Sequence, residues 1–316
     1  MSMRVLAIAG LSVVALAVAV EVWWELGSSG APPDPVRMSA PSAAVPATLP
    51  PTAPPAQPAL PPPAETGAIP IPTLSAPGLP LPPMPPRIAT GAEYERCLTM
   101  LTTDPVGANA LAEAWEATGG GDGARHCHAA AQISLGRMAV GAEMLEKLAR
   151  ATNAPALARA FIYGQATQAW LLAGDAQRAY ASATLALAMS PDDVDLMIDR
   201  SIAAATMDRY LDAIEDLNLA LDRDPKRTDA LVFRAAAWRH DGQLGLAQDD
   251  IDRALKLDPD YPEALLERGI LHQRRGNPIA ARADWQRVLD LATDSAAADL
   301  AQQNLNLLEA GPARRP

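Results

Sequence analysis

The two cysteines of this 316-residue chain, together with the histidines beside one of them, are the residues whose types could carry chemistry. Cys97 and Cys127 lie far apart in the sequence, and His126 and His128 flank the second cysteine. If the chain is exported, an even number of cysteines within one subdomain is most simply explained as a disulfide. We therefore predict a bridge between Cys97 and Cys127, for which the chain-entropy model gives roughly 3 to 4 kcal/mol of stability.

The same residues leave two alternatives to the disulfide open. A metal site would use His126, Cys127 and His128, although residues two apart on a helix point to different sides and no carboxylate is adjacent. A catalytic cysteine would need a histidine as its base, although nothing around Cys127 resembles a known nucleophile motif. Neither alternative fits its residues as well as the disulfide does, so we expect no metal and no cofactor.

The remaining sequence contains little that predicts catalysis. Residues 160–295 have no paired carboxylates beside a nucleophile, no glycine-rich phosphate loop and no metal-ligand spacing. The net charge of -11 and the pI near 4.8 argue against nucleic acid as the main partner, because phosphate binding needs clustered Lys and Arg. We therefore expect a protein that is not an enzyme and that does not bind nucleic acid.

A repeat with a period of 34 residues runs through residues 160–295 and must position any site. A turn residue tolerates the backbone angles of a helix end, a small residue lets two helices cross closely, and a proline stops the second helix. Three columns carry these types: Gly174, Asp208, Gly242 and Gly276; Ala179, Ala213, Ala247 and Ala281; Pro191, Pro225 and Pro259. In addition, Asn277 and Pro278 predict a capped helix start.

This period and residue set resemble the tetratricopeptide repeat, a helix-turn-helix unit whose copies stack. The resemblance implies an all-α fold, a right-handed α-solenoid of helix pairs, because no single unit can bury its apolar stripe alone. Four regular repeats follow a degenerate one that turns at Gly136, which lies 38 residues before Gly174 and so departs from the regular spacing. A helix over about residues 296–308 is expected to cap the last repeat.

Five segments follow from these patterns. Residues 1–29 are predicted to be a signal peptide or signal-anchor helix, and residues 30–90 a Pro- and Ala-rich disordered linker. Residues 91–159 are predicted to form N-terminal helices with the degenerate repeat and the cysteine pair. Residues 160–295 are the four tetratricopeptide repeats, and residues 296–316 a capping helix and tail.

The first segment carries the prediction of location. Arg4 precedes an uncharged apolar run over residues 5–20, and Trp23 and Trp24 follow it. The run fits an export signal that a peptidase removes, and it is also close to the length of a membrane span with tryptophans at the far interface. Both interpretations stay open: an inner-membrane anchor through residues 5–24, or a cleaved signal that leaves a soluble periplasmic or secreted protein. Each predicts export from a bacterial cytoplasm.

The linker contains 21 of the 30 prolines, all within residues 30–87. Proline at this density excludes helix and sheet, and the segment has too few large apolar residues for a core. A chain of this type extends by about 3.1 Å per residue, so the linker would reach roughly 100 to 180 Å. We interpret it as a spacer, with a proline-motif docking site at residues 82–86 as the alternative.

The resemblance also implies a binding surface. In tetratricopeptide proteins the first helix of each repeat lines a concave groove that receives peptides or helices from partners. By position, the groove side chains are Phe161, Gln165, Asp195, Ile198, Asp199, Ile202, Asp229, Val232, Phe233, Arg239, Glu263, Leu266 and Ile270. We interpret Ile198, Ile202, Val232, Phe233 and Ile270 as an apolar strip, flanked by acidic residues, that internal packing does not require.

Such a strip suits an amphipathic or extended partner segment with some basic character. The family variant that grips a C-terminal carboxylate is not expected, because Ile198 and Ile202 occupy two of the positions concerned. The resulting hypothesis is a protein-binding adaptor or assembly scaffold in the bacterial envelope. A passive structural spacer and an accessory domain of an envelope enzyme complex are the alternatives.

Overall fold

The computed structural model describes residues 87–310, and within this range every regular element is an α-helix. The prediction of an all-α fold is therefore confirmed. The predicted signal or anchor segment and nearly all of the linker lie outside the described residues, as does the tail after residue 310. No helix between residues 87 and 310 has the length and apolar character that a membrane crossing needs.

Between residues 87 and 310 the chain forms thirteen helices, and almost all neighbours are joined by short turns. They are α1 (Ala92–Thr103), α2 (Pro105–Ala117), α3 (Gly121–Ser134), α4 (Met138–Ala151), α5 (Ala156–Leu172), α6 (Ala176–Leu187), α7 (Val194–Thr206), α8 (Tyr210–Arg223), α9 (Thr228–His240), α10 (Leu244–Leu257), α11 (Pro262–Arg274), α12 (Pro278–Leu291) and α13 (Ala296–Ala310).

The helices pack as consecutive pairs. The regular repeats are α5 with α6, α7 with α8, α9 with α10 and α11 with α12, and α3 with α4 forms the degenerate repeat before them. The first helices of neighbouring repeats also contact each other directly, so that α5, α7, α9 and α11 form one continuous layer. Helix α13 packs on α11 and α12 and contributes to the same hydrophobic cluster as these two helices.

The turn and small-residue columns have the geometry that their residue types predict. Gly174, Gly242 and Gly276 have positive φ angles between 74° and 81°, and Asp208, the one non-glycine residue with a positive φ among residues 87–310, has a φ of 59°. The small side chains of the other column are fully buried where the paired helices cross: Ala179, Ala213, Ala247 and Ala281. Asn277 caps α12 by accepting a hydrogen bond from the Ala280 N–H at 3.2 Å, and Pro278 begins the helix.

A bidentate ion pair joins the two helices of the second, third and fourth regular repeats. In the second repeat, the Nε and Nη2 atoms of Arg200 donate hydrogen bonds to the two carboxylate oxygens of Asp216 at 2.8 and 2.5 Å. The equivalent pairs one and two periods later are Arg234 with Asp250 and Arg268 with Asp284. Both columns recur in the sequence at the period of 34, although the predicted columns included only the small, turn and closing residues.

The first regular repeat has Ala166 and Ser182 at these two positions, so it cannot form the ion pair. Instead, Glu146 of α4 contacts both helices of this repeat. Its Oε1 atom accepts hydrogen bonds from Ser182 Oγ on α6 at 2.6 Å and from Trp170 Nε1 on α5 at 2.8 Å. The Arg178 guanidinium lies 4.6 Å from the Trp170 ring centroid, so a cation–π contact adds to these hydrogen bonds. The degenerate repeat is thus joined to the regular ones by contacts that occur once.

Candidate protein-binding groove

The layer of first helices, α5, α7, α9 and α11, positions the predicted groove residues. The resemblance placed one set of side chains there, but the structure divides them into two groups. One group is only partly buried and faces outward to some degree: Phe161, Gln165, Asp229, Phe233, Glu263 and Ile270. The other group is buried within the layer: Ile198, Asp199, Ile202, Val232, Arg239 and Leu266. Asp195 belongs to neither group, because it is exposed.

The prediction of an apolar strip that packing does not require is therefore wrong for most of its members. Ile198, Ile202 and Val232 are 4 to 6% exposed and belong to the main hydrophobic core. The cause is the direct packing of neighbouring first helices, since side chains at these positions fill the space between adjacent helices. Phe233 packs at the edge of this core, Ile270 packs at the edge of a second core cluster formed by α11, α12 and α13, and both keep part of their surface exposed.

A buried chain of hydrogen bonds leads from α1 to Gln165, one of the predicted groove residues. Tyr94 Oη lies 2.8 Å from His126 Nδ1, and His126 Nε2 lies 2.7 Å from Gln165 Oε1. Because the amide oxygen of Gln165 can only accept, His126 carries its proton on Nε2 and accepts from the Tyr94 hydroxyl on Nδ1. Burial lowers the pKa of His126 and raises the pKa of Tyr94 to about 12, so both groups are neutral near pH 7.

This arrangement also tests the metal-site alternative. His126 faces Tyr94 and Gln165, whereas His128 Nδ1 lies 3.0 Å from Glu116 Oε2 on α2. The sulfur of Cys127, between them, lies at bonding distance from that of Cys97, with 6.1 Å between the two Cα atoms. The three side chains point in different directions, and residues 87–310 contain no group of three or more His, Cys, Asp or Glu that could hold a metal ion.

A second polar contact crosses from α5 to α7. The Gln168 Nε2 group donates to Asp199 Oδ2 at 3.2 Å, and Asp199 is only 8% exposed. Burial, with smaller contributions from the nearby carboxylates of Asp195 and Asp193, raises the pKa of Asp199 to about 7. The Gln168 hydrogen bond and the positive charge of Arg227 oppose this shift.

Acidic residues and one arginine lie at the start of the first helices. Arg227 donates to Asp195 Oδ1 at 2.7 Å and to both oxygens of Asp229 at 3.0 and 2.8 Å. These hydrogen bonds are the main cause of the raised pKa of the arginine. Burial raises the pKa of Glu263, the equivalent residue of the last repeat. The edge of the layer is thus acidic at Asp195, Asp229 and Glu263, and Arg227 pairs with the first two of these carboxylates.

Arg239 is placed differently from the prediction. It is 3% exposed, and its Nε group donates to Glu267 Oε1 at 2.5 Å, where Glu267 is itself 4% exposed. The pair joins α9 to α11, and both of its side chains are almost fully buried. Arg239, which is predicted to line the groove, is instead part of the contact between two first helices.

The chain resembles known proteins in structure rather than in sequence. No protein-family model and no curated protein matches it. Among solved structures, it is similar to a chain of the Cut9–Hcn1 hetero-tetramer of the APC/C, with a TM-score of 0.52 and 15% identity over 67% of this chain and 42% of that one. The chain thus spans less than half of that protein's length.

Two shorter proteins are covered over their full length. TTC0263, a thermophilic TPR protein of Thermus thermophilus, has a TM-score of 0.49 and 16% identity over 59% of this chain. YrrB, described as a TPR protein with an unusual peptide-binding site, has a TM-score of 0.44 and 15% identity over 68% of this chain. At such low identities, a likeness of structure bears on the fold alone.

Proposed function

We propose that this chain, which has the tetratricopeptide-repeat fold, is a protein-binding adaptor or assembly scaffold that holds a segment of a partner in the groove of α5, α7, α9 and α11. The observation that supports the proposal is that two glutamines of α5 are fixed in place by hydrogen bonds to side chains of α3 and α7. Gln165 is held by His126, and Gln168 is held against Asp199. Partly buried Phe161 and Phe233 supply apolar surface beside them.

The two glutamines suit the recognition of a peptide backbone. In Gln165 the amide oxygen is engaged by His126, and no described residue accepts a hydrogen bond from its NH2 group. In Gln168 the reverse holds, because the NH2 group is engaged by Asp199 and no described residue donates to its oxygen. A partner segment offers N–H and C=O groups that fit one free donor and one free acceptor. This chemistry is binding, and the proposed role is not enzymatic.

We further propose that the protein works in a bacterial cell envelope after export. Support comes from the N-terminal apolar run and from the geometry of Cys97 and Cys127, which suits a disulfide in an oxidising compartment. The proposal includes an anchor in the inner membrane through residues 5–24, with a cleaved signal as the alternative. Carbonate extraction of membranes decides between them: an anchored chain stays in the pellet, whereas a chain released into the supernatant contradicts the anchor.

Site-specific photo-crosslinking in the native cells tests the groove. A photoreactive amino acid placed at Phe161 or Gln168 of the full-length chain should give a discrete crosslinked partner. Matched positions on the second helices are Leu185 and Leu219, which are exposed on α6 and α8. Crosslinks of equal strength from both pairs of positions, or from the second helices alone, would contradict the groove and favour a passive spacer.

A further inference from the structure

Asp199 differs from every other buried carboxylate of residues 87–310. Five carboxylates there are buried, and four of them accept hydrogen bonds from an arginine. The four pairs are Asp216 with Arg200, Asp250 with Arg234, Asp284 with Arg268, and Glu267 with Arg239. Asp199 accepts one hydrogen bond, from the neutral amide of Gln168, and its Oδ1 atom accepts none from any described residue.

The arginines near Asp199 are committed elsewhere. Arg200, the next residue, donates both of its bonds to Asp216 on α8. Arg227 uses its donors on Asp195 and Asp229, so it affects Asp199 only as a nearby charge. A buried carboxylate is retained at a cost in free energy unless a bonded cation or several donors compensate it, and no arginine or lysine of the described residues donates a hydrogen bond to Asp199.

Comparison with Glu267 indicates what the site lacks. Asp199 and Glu267 occupy the same position of their repeats, two periods of 34 residues apart. Glu267 receives its arginine from the preceding first helix, where Arg239 lies on α9. The residue two periods before Arg239 is Leu171 on α5, which cannot donate a hydrogen bond from its side chain. The second repeat thus presents the carboxylate of Asp199 without the arginine that the third repeat supplies to Glu267 of the fourth.

We propose that Asp199 binds the side chain of an arginine or lysine from the partner segment, in the role that Arg239 has against Glu267. The inference rests on the proposed function and specifies its partner as a segment with a basic residue. The surrounding charges favour such a residue, since Asp195 and Asp193 lie on the same helix and at its cap, and Asp195 is exposed. Gln168 on α5 fixes the orientation of the carboxylate.

The ionisation of Asp199 makes the binding depend on pH. With a pKa of about 7 in the free protein, the carboxylate is largely protonated at pH 6 and largely ionised at pH 8. A cation binds the ionised form, so affinity should rise roughly five- to tenfold between these pH values. The charged groups that face Asp199 are Asp193, Asp195 and Arg227, of which the two aspartates raise its pKa and the arginine lowers it.

A peptide library displayed on phage provides the probe, with purified full-length chain as the target. Peptides selected by the native protein should share an arginine or lysine at one position of a common motif. Selection on Asp199→Asn should lose that preference, whereas Asp222→Asn, which changes an exposed aspartate of α8, should keep it. Circular dichroism and thermal unfolding establish that each variant is folded.

Affinities of a selected peptide at pH 6 and pH 8 complete the test. We expect Asp199→Asn to weaken binding at pH 8 by at least about tenfold and to abolish the pH dependence. Peptides without a basic residue that bind both proteins equally would overturn the role of Asp199 and leave the groove proposal intact. Recovery of no peptide by the native protein would contradict both proposals.

Discussion

The second to fourth regular repeats and the N-terminal helices α1–α6 are stabilised by different kinds of contact. In the three later repeats the same bidentate arginine–aspartate pair joins the two helices of each unit. The distance from the arginine Nη2 atom to the aspartate Oδ1 atom is 2.5 to 2.6 Å. In the N-terminal part each contact occurs once, as with Cys97 and Cys127, the chain from Tyr94 to Gln165, and Glu146 beneath Trp170.

The difference follows from how regular the sequence is. Units of equal length repeat their helix crossings, so one pair of residue types satisfies every copy. The degenerate repeat is longer by about four residues, which moves its side chains out of register with those of the next unit. Its helices therefore need individual contacts, and we expect substitutions there to act separately from those in the regular repeats.

Loss of the cysteine pair should have the largest effect on the N-terminal side of this comparison. Cys97→Ser with Cys127→Ser should lower the free energy of unfolding by roughly 3 to 4 kcal/mol in the chain-entropy model. Denaturant unfolding of native protein, with and without reductant, measures the effect, and reduction should leave the double variant unchanged. Two freely alkylated cysteines in the native, unreduced protein would refute the bridge.

Removal of one arginine tests the regular side. In Arg234→Ala the buried carboxylate of Asp250 loses its bidentate partner, so the free energy of unfolding should fall by about 3 kcal/mol. Arg253 offers a matched control, because it lies 3.4 Å from the same carboxylate but is half exposed. Arg253→Ala should cost less than about 0.5 kcal/mol. Equal losses would mean that the bidentate geometry contributes nothing special.

The sequence predicted those parts of the molecule that depend on local residue types. The helix pairs and the turns at Gly174 and Gly242 follow from backbone preferences that the copies of the repeat share, and the cap at Asn277 follows from the side chain of that one residue. The arginine and aspartate columns could have been predicted too, because they recur at the same period as the turns.

Other features could not be predicted from residue types and spacing. The burial of Ile198 and Ile202 depends on how closely α5, α7 and α9 approach, and the position of a residue in its repeat does not give that distance. The contact between His126 and Gln165 joins the degenerate repeat to a regular one, where the spacing of 34 residues no longer holds. Tertiary packing, which the sequence pattern alone does not specify, decided both.

Asp199 is the exception within the regular repeats, and its pH dependence sharpens the comparison. Its folded pKa lies above the unfolded value, so the ionised form disfavours the folded state. The penalty is absent below about pH 4 and grows as pH rises to about 7. Asp199→Asn should therefore match the native protein in stability near pH 4 and exceed it by about 2 kcal/mol at pH 8. The paired Asp250, replaced by Asn, should instead lose stability at pH 8.

His126 should produce the opposite pH dependence in the N-terminal part. Burial sets the folded pKa of His126 below the unfolded value of about 6.5. Its contribution to the free energy of unfolding is therefore complete above pH 6.5 and is lost as the pH falls from there through the folded pKa. The native protein should lose up to about 1.4 kcal/mol per pH unit below pH 6 from this group. His126→Gln should remove that slope, whereas His128→Gln, which changes a histidine beside Glu116, should leave it. If His126→Gln retains the full slope, the buried chain from Tyr94 to Gln165 does not hold a neutral histidine, and the acid sensitivity of the N-terminal part comes from some other group.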